Sequence, residues 1–354
     1  MHVIFMQKIQ SKDIENFAGI ISKAKTFSII THMNPDGDAF GSTLALQNYL
    51  EKCHGKDAVI ADADPAPDSL KFMFKDYDAN KFLVHKEQKE LTEKRLKDSD
   101  VIICLDFNSP ARAGSLEQSI LDSNATKVLI DHHLSPKREC FDLVFSEREI
   151  SSASELLFYV LMNMPDINND VKKLPIESCN ALMVGLTTDT NNFGNSVFPT
   201  TLSMASSLLE AGVDRNGILV EIYNRYRENR IRLMGHLMSN VLKITDYGVA
   251  YIILDQKTKD QYDTIEGETE GFVNMPLTID NVKMSLFLKE DDGKMRVSIR
   301  SKLGISANRC AREFFNGGGH EQAAGGKLAI PEDIASVECA EQYILDATAK
   351  FFGL

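Results

Sequence analysis

The chain has 354 residues, of which 43 % are hydrophobic and 25 % are charged, and this balance predicts an ordinary soluble protein of two domains. Its net charge of −12 and the lack of a basic stripe argue against a protein that grips long DNA or RNA, although short oligonucleotides are not excluded. There is no apolar run of about 18 residues, no signal-peptide layout and no CxxC pair among six scattered cysteines, so we expect neither a membrane span nor disulfides, and a cytoplasmic location.

Strand and helix patterns alternate through the first part of the chain. Short apolar runs predict strands at 27–32, 58–61, 100–106 and 127–131, and an amphipathic pattern predicts a helix from about Gly41 to Lys52. Ser151 or Ser152 is predicted to cap a second helix, and Pro175 to open a third, with Asp189 just past its end. This βαβ order predicts an α/β fold with a doubly wound, mostly parallel sheet.

The pattern changes after a charge-rich helical segment at about 200–245. A strand is predicted at 248–254, then a hairpin of 283–289 and 294–301 across Asp291-Asp-Gly293. Helices are predicted at about 305–315 and 332–350, which indicates a smaller α+β domain. We therefore divide the chain into a first domain at 1–210, a helical connector at 211–245 and a second domain at 246–354.

Acidic residues and histidines close the apolar runs of the first domain. Asp131-His132-His133 ends one strand, Asp106 ends another, and His32 begins a loop that carries Asp36 and Asp38. Because parallel strands present ligands at their carboxyl edge, we expect these side chains to meet there, together with Asp189. Any one of these residues alone could equally be a helix cap or a surface turn, but their shared placement favours a metal centre.

The donor types indicate which ions would bind. Carboxylates and imidazoles without thiolates suit two Mn²⁺ ions, with Mg²⁺ as the alternative, and such pairs catalyse hydrolysis of phosphate esters by activating a water. We expect Asp106 to bridge the ions and Gly37 to let neighbouring carboxylates reach different metals. His133 is expected to point at the substrate. The predicted ligands are His32, Asp36, Asp38, Asp106, His132 and Asp189.

These motifs resemble those of the DHH phosphoesterase superfamily. Thr31 to Ser42 is similar to its first motif, Asp106 to its second, Asp131-His132-His133 to its third and Thr188-Asp-Thr190 to its fourth. Val297 to Ser301 and Gly317 to Gly325 resemble its C-terminal DHH-associated domain, so the resemblance covers nearly the whole chain.

The resemblance implies a division of labour between the domains. The first would hold two Mn²⁺, with Asp106, Asp131 and His133 as catalytic residues, and the second would close over the cleft and bind the far end of the substrate. The residues implied for substrate binding are His133, Arg300, Gly317, Gly318, Gly319 and His320. A triple-glycine run can expose backbone N–H groups to an anion, and a guanidinium can grip phosphate.

Three groups of the superfamily have features that differ from those of this sequence. RecJ-type exonucleases are longer and carry an added OB domain, and membrane-bound cyclic-dinucleotide phosphodiesterases carry membrane and sensor segments. Family II pyrophosphatases lack the GGGH loop, which this sequence contains. The resemblance therefore implies a compact oligoribonuclease that degrades RNA of about two to five nucleotides, including pApA, and removes the 3′-phosphate of pAp. The alternatives are a stand-alone cyclic di-AMP/pApA phosphodiesterase and, less favoured, a catalytically dead nucleotide-binding protein. A homodimer through apolar helices of the first domain is left open.

Overall fold

A computed structural model describes residues 9–75 and 77–354. The chain separates into two compact units, Met1–Arg225 and Tyr226–Leu354. The division falls inside the segment that the sequence predicts as a helical connector. Within the described residues, no helix is both long and apolar enough to cross a membrane.

A six-stranded, fully parallel sheet forms the centre of the first unit. Its strand order is β3-β2-β1-β4-β5-β6, which confirms the predicted doubly wound architecture. The strands are nearly all apolar, as expected where helices cover both faces of a sheet. They are β1 (Thr26–Ile30), β2 (Asp57–Asp62), β3 (Phe82–Val84), β4 (Val101–Leu105), β5 (Thr126–Asp131) and β6 (Leu143–Ser146).

Eight helices accompany this sheet in the described part of the first unit. The sequence analysis missed the first of them, although its buried residues Ile14, Phe17 and Ile21 recur at helical spacing. The helices are α1 (Ser11–Lys23), α2 (Gly37–His54), α3 (Lys89–Asp98), α4 (Glu117–Asp122), α5 (Ala153–Met162), α6 (Ile176–Asp189), α7 (Pro199–Glu210) and α8 (Arg215–Tyr223).

The strand order reverses direction between β1 and β4. Consecutive connections lead outward from β1 to β2 and β3, whereas β4, β5 and β6 continue on the other side. In doubly wound sheets a crevice opens at the carboxyl ends of the two strands that flank this reversal, and ligands bind there. The loops after β1, β4 and β5 therefore emerge side by side, and these loops carry the predicted metal ligands.

The second unit contains a mixed six-stranded sheet of order β11-β12-β10-β9-β8-β7. The predicted hairpin is present, with Asp292 at φ 44° and Gly293 at φ 71°, the left-handed geometry that an Asp-Gly turn supplies. The strands are β7 (Lys243–Ile244), β8 (Val249–Leu254), β9 (Met284–Asp291), β10 (Lys294–Ser301), β11 (Gly318–Gly319) and β12 (Ala323–Ala329).

Four helices belong to this unit: α9 (Glu228–His236), α10 (Gln256–Gln261), α11 (Ala307–Phe314) and α12 (Ala340–Phe352). The prediction of a terminal helix from 332 placed its start eight residues too early. The segment before α12 forms a turn instead, because Asp333 accepts the Ala329 N–H at 2.7 Å and the Asn316 amide at 3.0 Å.

Candidate metal centre

The six predicted metal ligands converge at the carboxyl edge of the parallel sheet, and His133, which was predicted to face the substrate, lies beside them. Three groups of potential ligands have donor atoms within 4.8 Å of one another: His32 with Asp36 and Asp106; Asp38 with His132 and Asp189; and Asp106 with His132 and His133. Two of these groups share Asp106 and two share His132. The arrangement therefore offers neighbouring positions for two cations.

The first group is built by the loop that joins β1 to α2. His32 places Nδ1 3.0 Å from the Met33 carbonyl oxygen, which leaves Nε2 facing Asp36 at 3.9 Å and Asp106 at 3.5 Å. Asp36 is the N-cap of α2, and its Oδ1 accepts the N–H groups of Asp38 and Ala39. One oxygen of Asp36 thus caps a helix while the other faces His32.

Asp106 lies directly after β4 and is almost fully buried. Its φ of 62° is left-handed, a conformation that aspartate tolerates better than most residues. Its Oδ2 lies 3.5 Å from His32 Nε2, and its Oδ1 lies 3.4 Å from His132 Nε2. One carboxylate therefore presents a different oxygen to each half of the cluster, which is the geometry of a bridging ligand.

Asp38 is held by the N-terminus of α5. Its two oxygens accept the N–H groups of Ala153 at 2.6 Å and Ser154 at 2.9 Å, and Ser152 caps the same helix as predicted. Free N–H groups at a helix start favour a negative charge. The sequence analysis did not connect Asp38 with this helix, because the partners lie more than a hundred residues apart in the chain.

Glycines let α2 approach α6 closely. A Cβ on Gly37 would lie 2.3 Å from Thr188 Oγ1, and a Cβ on Gly41 would lie 2.7 Å from the Ala181 carbonyl oxygen. Gly37 is therefore required for close helix packing, a second role beside the expected one of letting the neighbouring carboxylates reach different metals, which stays a prediction.

The loop after β5 supplies two histidines with different surroundings. His132 Nε2 lies 3.8 Å from Asp189, which is the last residue of α6 rather than the first residue beyond it. His133 Nδ1 lies 2.7 Å from Oδ1 of the fully buried Asp131 and 3.7 Å from Asp106. Asp131 therefore orients His133 and is not in any of the three ligand groups.

Neighbouring opposite charges shift the pKa values of the two buried histidines and of Asp106 in this cluster. Burial opposes the charged form of His32, but the hydrogen bond and charge of Asp106 outweigh it and raise the pKa of His32 to about 9. Burial also opposes the charged form of His132, but the hydrogen bond to Asp106 and the charges of Asp189 and Asp106 outweigh it and raise the pKa of His132 to about 10. Burial also disfavours ionised Asp106, yet hydrogen bonds from the two imidazoles hold its pKa well below the usual range.

The other two carboxyl groups shift in the opposite direction. Burial, followed by the charge of Asp106, raises the pKa of Asp38 to about 7, and burial raises the pKa of Asp189 well above its ordinary value. Carboxylates thus outnumber the cationic groups in a buried space, where an unpaired charge is costly. Divalent cations would relieve this repulsion, so the donor set fits two hard metal ions.

The predicted substrate residues of the second unit lie around the start of β12. Arg300 on β10 pairs in register with Ala323, and the His320 N–H donates to the Ala323 carbonyl oxygen at 2.8 Å. Burial lowers the pKa of Arg300, whose Nη1 donates to the Ile299 carbonyl oxygen, and its side chain lines a cavity of about 160 Å³. Arg300 and His320 are thus brought to one end of the sheet.

The triple glycine differs from its expected role. The N–H groups of Gly317 and Gly319 donate to Ala311 and Asn308, so these two are not presented to an anion as predicted. A Cβ on Gly317 would lie 1.9 Å from the Gly325 carbonyl oxygen, and Gly318 lies in β11. Gly317 and Gly319 are needed where this segment packs closely against β12, whereas a Cβ on Gly318 would make only ordinary van der Waals contacts.

Two carboxylates near the site escaped the sequence analysis. Asp62 ends β2, and Asp64 follows it two residues later, just beyond the strand. The signal was available, because an apolar run ending in a carboxylate is the pattern that identified Asp106.

The chain resembles known proteins over nearly its whole length. Residues 26–186 match the DHH family, N-terminal domain, and residues 245–343 match the DHHA1 domain. The crystal structure of an exopolyphosphatase-related protein from Bacteroides fragilis is 35 % identical with a TM-score of 0.89, covering 97 % of both chains.

Two curated relatives carry functional names. The bifunctional oligoribonuclease and PAP phosphatase NrnA of Bacillus subtilis is 26 % identical over 87 % of this chain and 91 % of its own length. The cyclic-di-AMP phosphodiesterase PdeA of Listeria monocytogenes is 23 % identical over 94 % of this chain but only 49 % of its own length. The two domain matches and the solved structure show that the chain belongs to the DHH family and carries a C-terminal DHHA1 domain.

Proposed function

We propose that the chain is a Mn²⁺-dependent phosphoesterase that hydrolyses short oligoribonucleotides, including pApA, to mononucleotides and removes the 3′-phosphate of pAp. The observation that carries this proposal is Asp106, which presents one oxygen to His32 and the other to His132 within a set of carboxylates and imidazoles. The resemblance to NrnA along most of both chains supports the choice of substrate.

The ligand assignment follows the three groups. One ion would be held by His32, Asp36 and Asp106, and the other by Asp38, His132 and Asp189, with Asp106 between them. Two such ions would supply Lewis acidity towards a phosphoryl oxygen and would activate a water. Mixed carboxylate and imidazole ligands suit Mn²⁺, whereas Mg²⁺ prefers oxygen ligands in a strict octahedron.

His133 is assigned the proton transfer to the leaving oxygen. Asp131 accepts from Nδ1, which fixes the ring and leaves Nε2 as the atom that can carry the transferred proton. Asp131 acts through His133, in the way that a buried carboxylate orients a catalytic imidazole.

The second unit is assigned the recognition of the nucleotide. Arg300 would contact a phosphate and His320 a phosphate or base, since both lie around Ala323 at one end of the sheet. The six cysteines are all free, which fits the cytoplasmic location that we propose. Because the chain is acidic, we propose short RNA or small nucleotides as its partners rather than long nucleic acids.

The deciding experiment compares four substrates with Mn²⁺ present: pApA, a five-nucleotide RNA, pAp and cyclic di-AMP, with products separated by chromatography. The proposal expects mononucleotides from the linear substrates, phosphate from pAp and slow or no ring opening. Fast opening of cyclic di-AMP would favour the activity for which PdeA is named. No turnover of any dinucleotide would overturn the proposal.

A second comparison separates the roles of the two units. His320→Ala should raise the KM for nucleotides and spare a generic aryl phosphate ester, which needs only the metal centre. Asp106→Ala should abolish turnover of both substrates. Equal effects of the two changes on the generic ester would contradict the assignment.

A further inference from the structure

Two carboxylates at the end of β2 hold the backbone on both sides of His32. Asp62 Oδ1 accepts the N–H of Thr31 at 2.9 Å, and Asp64 Oδ2 accepts the N–H of Asn34 at 2.8 Å. Thr31 precedes His32 and Asn34 follows it by two residues. Strand β2 lies beside β1 in the sheet, so these contacts tie the loop that carries His32 to the neighbouring strand.

The two carboxylates differ in how their charge is balanced. Asp64 is 7 % exposed, and its Oδ1 lies 2.6 Å from Lys86 Nζ. Asp62 is fully buried, and its Oδ2 has no hydrogen-bond partner among residues 9–75 and 77–354. A buried carboxylate that only folded a loop would be costly, because a neutral acceptor could bind the same N–H without the desolvation penalty of a charge.

The other half of the cluster is supported differently. Asp38 receives the N–H groups of Ala153 and Ser154 at the start of α5. The hydrogen bonds of Asp62 and Asp64 instead lead to the loop after β1, and the ion pair of Asp64 leads to Lys86. The two candidate ions are thus supported by different parts of the fold.

We propose that Asp62 and Asp64 are positioning residues for one metal ion only, the ion held by His32, Asp36 and Asp106. They fix the loop so that His32 Nε2 faces Asp106, and a negative charge on the buried Asp62 would add to the affinity for that cation. Partners of metal ligands commonly contribute in this way. The inference rests on the metal centre proposed above and adds a support that acts on one ion and not on the other.

The test is Mn²⁺ titration of the full chain by calorimetry, using Asp62→Asn and Asp64→Asn. Asparagine keeps the shape and can still accept the N–H, so only the charge is removed. Asp62→Asn should weaken one of two binding events by about 10- to 100-fold and leave the other unchanged. Asp64→Asn should weaken the same event less, since Lys86 already balances that charge. Asp57→Asn, at the opposite end of β2, is the matched control and should alter neither event.

Thermal unfolding in EDTA separates positioning from folding. Asp62→Asn should not lower the metal-free melting temperature, whereas Asp62→Ala, which also loses the hydrogen bond to Thr31, should lower it. Two binding events identical to those of the wild type in Asp62→Asn would overturn the inference, as would equal weakening of both events. If the wild-type chain binds no Mn²⁺, the metal centre itself fails, a result distinct from either of these.

Discussion

Several of the candidate metal ligands also complete the local fold. Asp36 caps α2 with one oxygen, and Asp38 satisfies two N–H groups of α5. Asp106 has a left-handed backbone that turns its carboxylate between two imidazoles. Because these contacts exist within the protein itself, the donor atoms are preorganised for cations, and little ordering remains to be done when ions bind.

Asp106 faces both halves of the cluster, so we expect its charge to matter most to both proposed ions. Asp106→Asn should reduce Mn²⁺ affinity and kcat by at least about 100-fold, since even partners one layer further out cost 10- to 100-fold. The metal-free protein should remain folded, because the change removes a buried charge. Calorimetry with Mn²⁺ and a pApA assay measure the two effects, and wild-type affinity in the variant would contradict the bridging role.

His133 should act on the proton rather than on the metals. His133→Gln is expected to lower kcat by about 10²- to 10⁴-fold, the usual contribution of a general acid, with both Mn²⁺ binding events retained. Rapid-quench kinetics and calorimetry on the same preparation give both readouts. Loss of an ion in this variant would instead identify His133 as a ligand, which its position in one ligand group would then explain.

At the scale of elements, the crossing of α2 and α6 places Asp38 near Asp189. The backbones approach so closely that a Cβ on Gly41 would meet the Gly185 nitrogen at 2.7 Å, and a Cβ on Gly185 would meet Asp38 Oδ1 at 2.8 Å. The helices could not cross at this distance with larger residues in these positions. Small residues therefore control the separation of two predicted ligands.

Gly41→Ala should destabilise the first unit by about 1–3 kcal/mol, as overpacking of a tight core does. Gly19→Ala on α1 is the control, because a Cβ there has nothing within 4 Å and alanine favours helix by roughly 0.5–1 kcal/mol. Urea unfolding measures the loss of stability expected for Gly41→Ala and the gain expected for Gly19→Ala. Equal stability changes would show that the close crossing does not limit packing.

A surface ion-pair cluster joins β2 to its neighbours. Burial alone would raise the pKa of Asp57, but hydrogen bonds from Arg95 at 2.5 Å and Lys81 at 2.9 Å outweigh it and lower that pKa. A lowered carboxyl pKa stabilises the fold above the unfolded value of about 3.9, and this contribution is lost as pH falls through the folded value.

Asp57→Asn should therefore lower the free energy of unfolding at pH 7 by about 0.5–1 kcal/mol, a figure reduced for the solvent exposure of the pair. The difference from wild type should be smaller at about pH 3, because the contribution of the charge is lost as pH falls from the unfolded value of about 3.9 through the lowered folded value. Urea unfolding at both pH values tests this. A difference that grows in acid would have the wrong sign.

At the scale of the whole molecule, we expect the two compact units to differ in their coupling to metal. All residues of the three ligand groups lie in the first unit. Ligand that binds only the folded state stabilises it, by about 2.7 kcal/mol at a concentration 100 times Kd. Metal should therefore act on the unfolding of Met1–Arg225 in particular.

Differential scanning calorimetry of the full chain should show Mn²⁺ raising the melting temperature of the first unit. Asp106→Asn should remove most of that shift, which controls for nonspecific ion effects on an acidic protein. A shift of the same size in the variant would show that Mn²⁺ stabilises the chain at other sites.

Local sequence determined the strand edges and the candidate ligands. The runs Val101–Leu105 and Val128–Ile130 are apolar throughout, and each is followed directly by an aspartate, so the burial of the strands and the position of the carboxylates at their ends follow from the residue types alone. The order βαβ then requires a parallel sheet, and its carboxyl edge collects Asp106 and His132. The Asp-Gly hairpin of the second unit was equally local, since only its two turn residues require positive φ.

Only the tertiary structure decided which groups support those ligands. Asp38 meets Ala153, and Asp62 meets Thr31, across chain separations of 115 and 31 residues, which no local periodicity encodes. Gly317 and Gly319 could expose N–H groups or permit close packing, and the strand that lies against them favours packing at these two positions. The choice between such uses depends on which backbone comes close in space, and that contact exists only once the chain has folded.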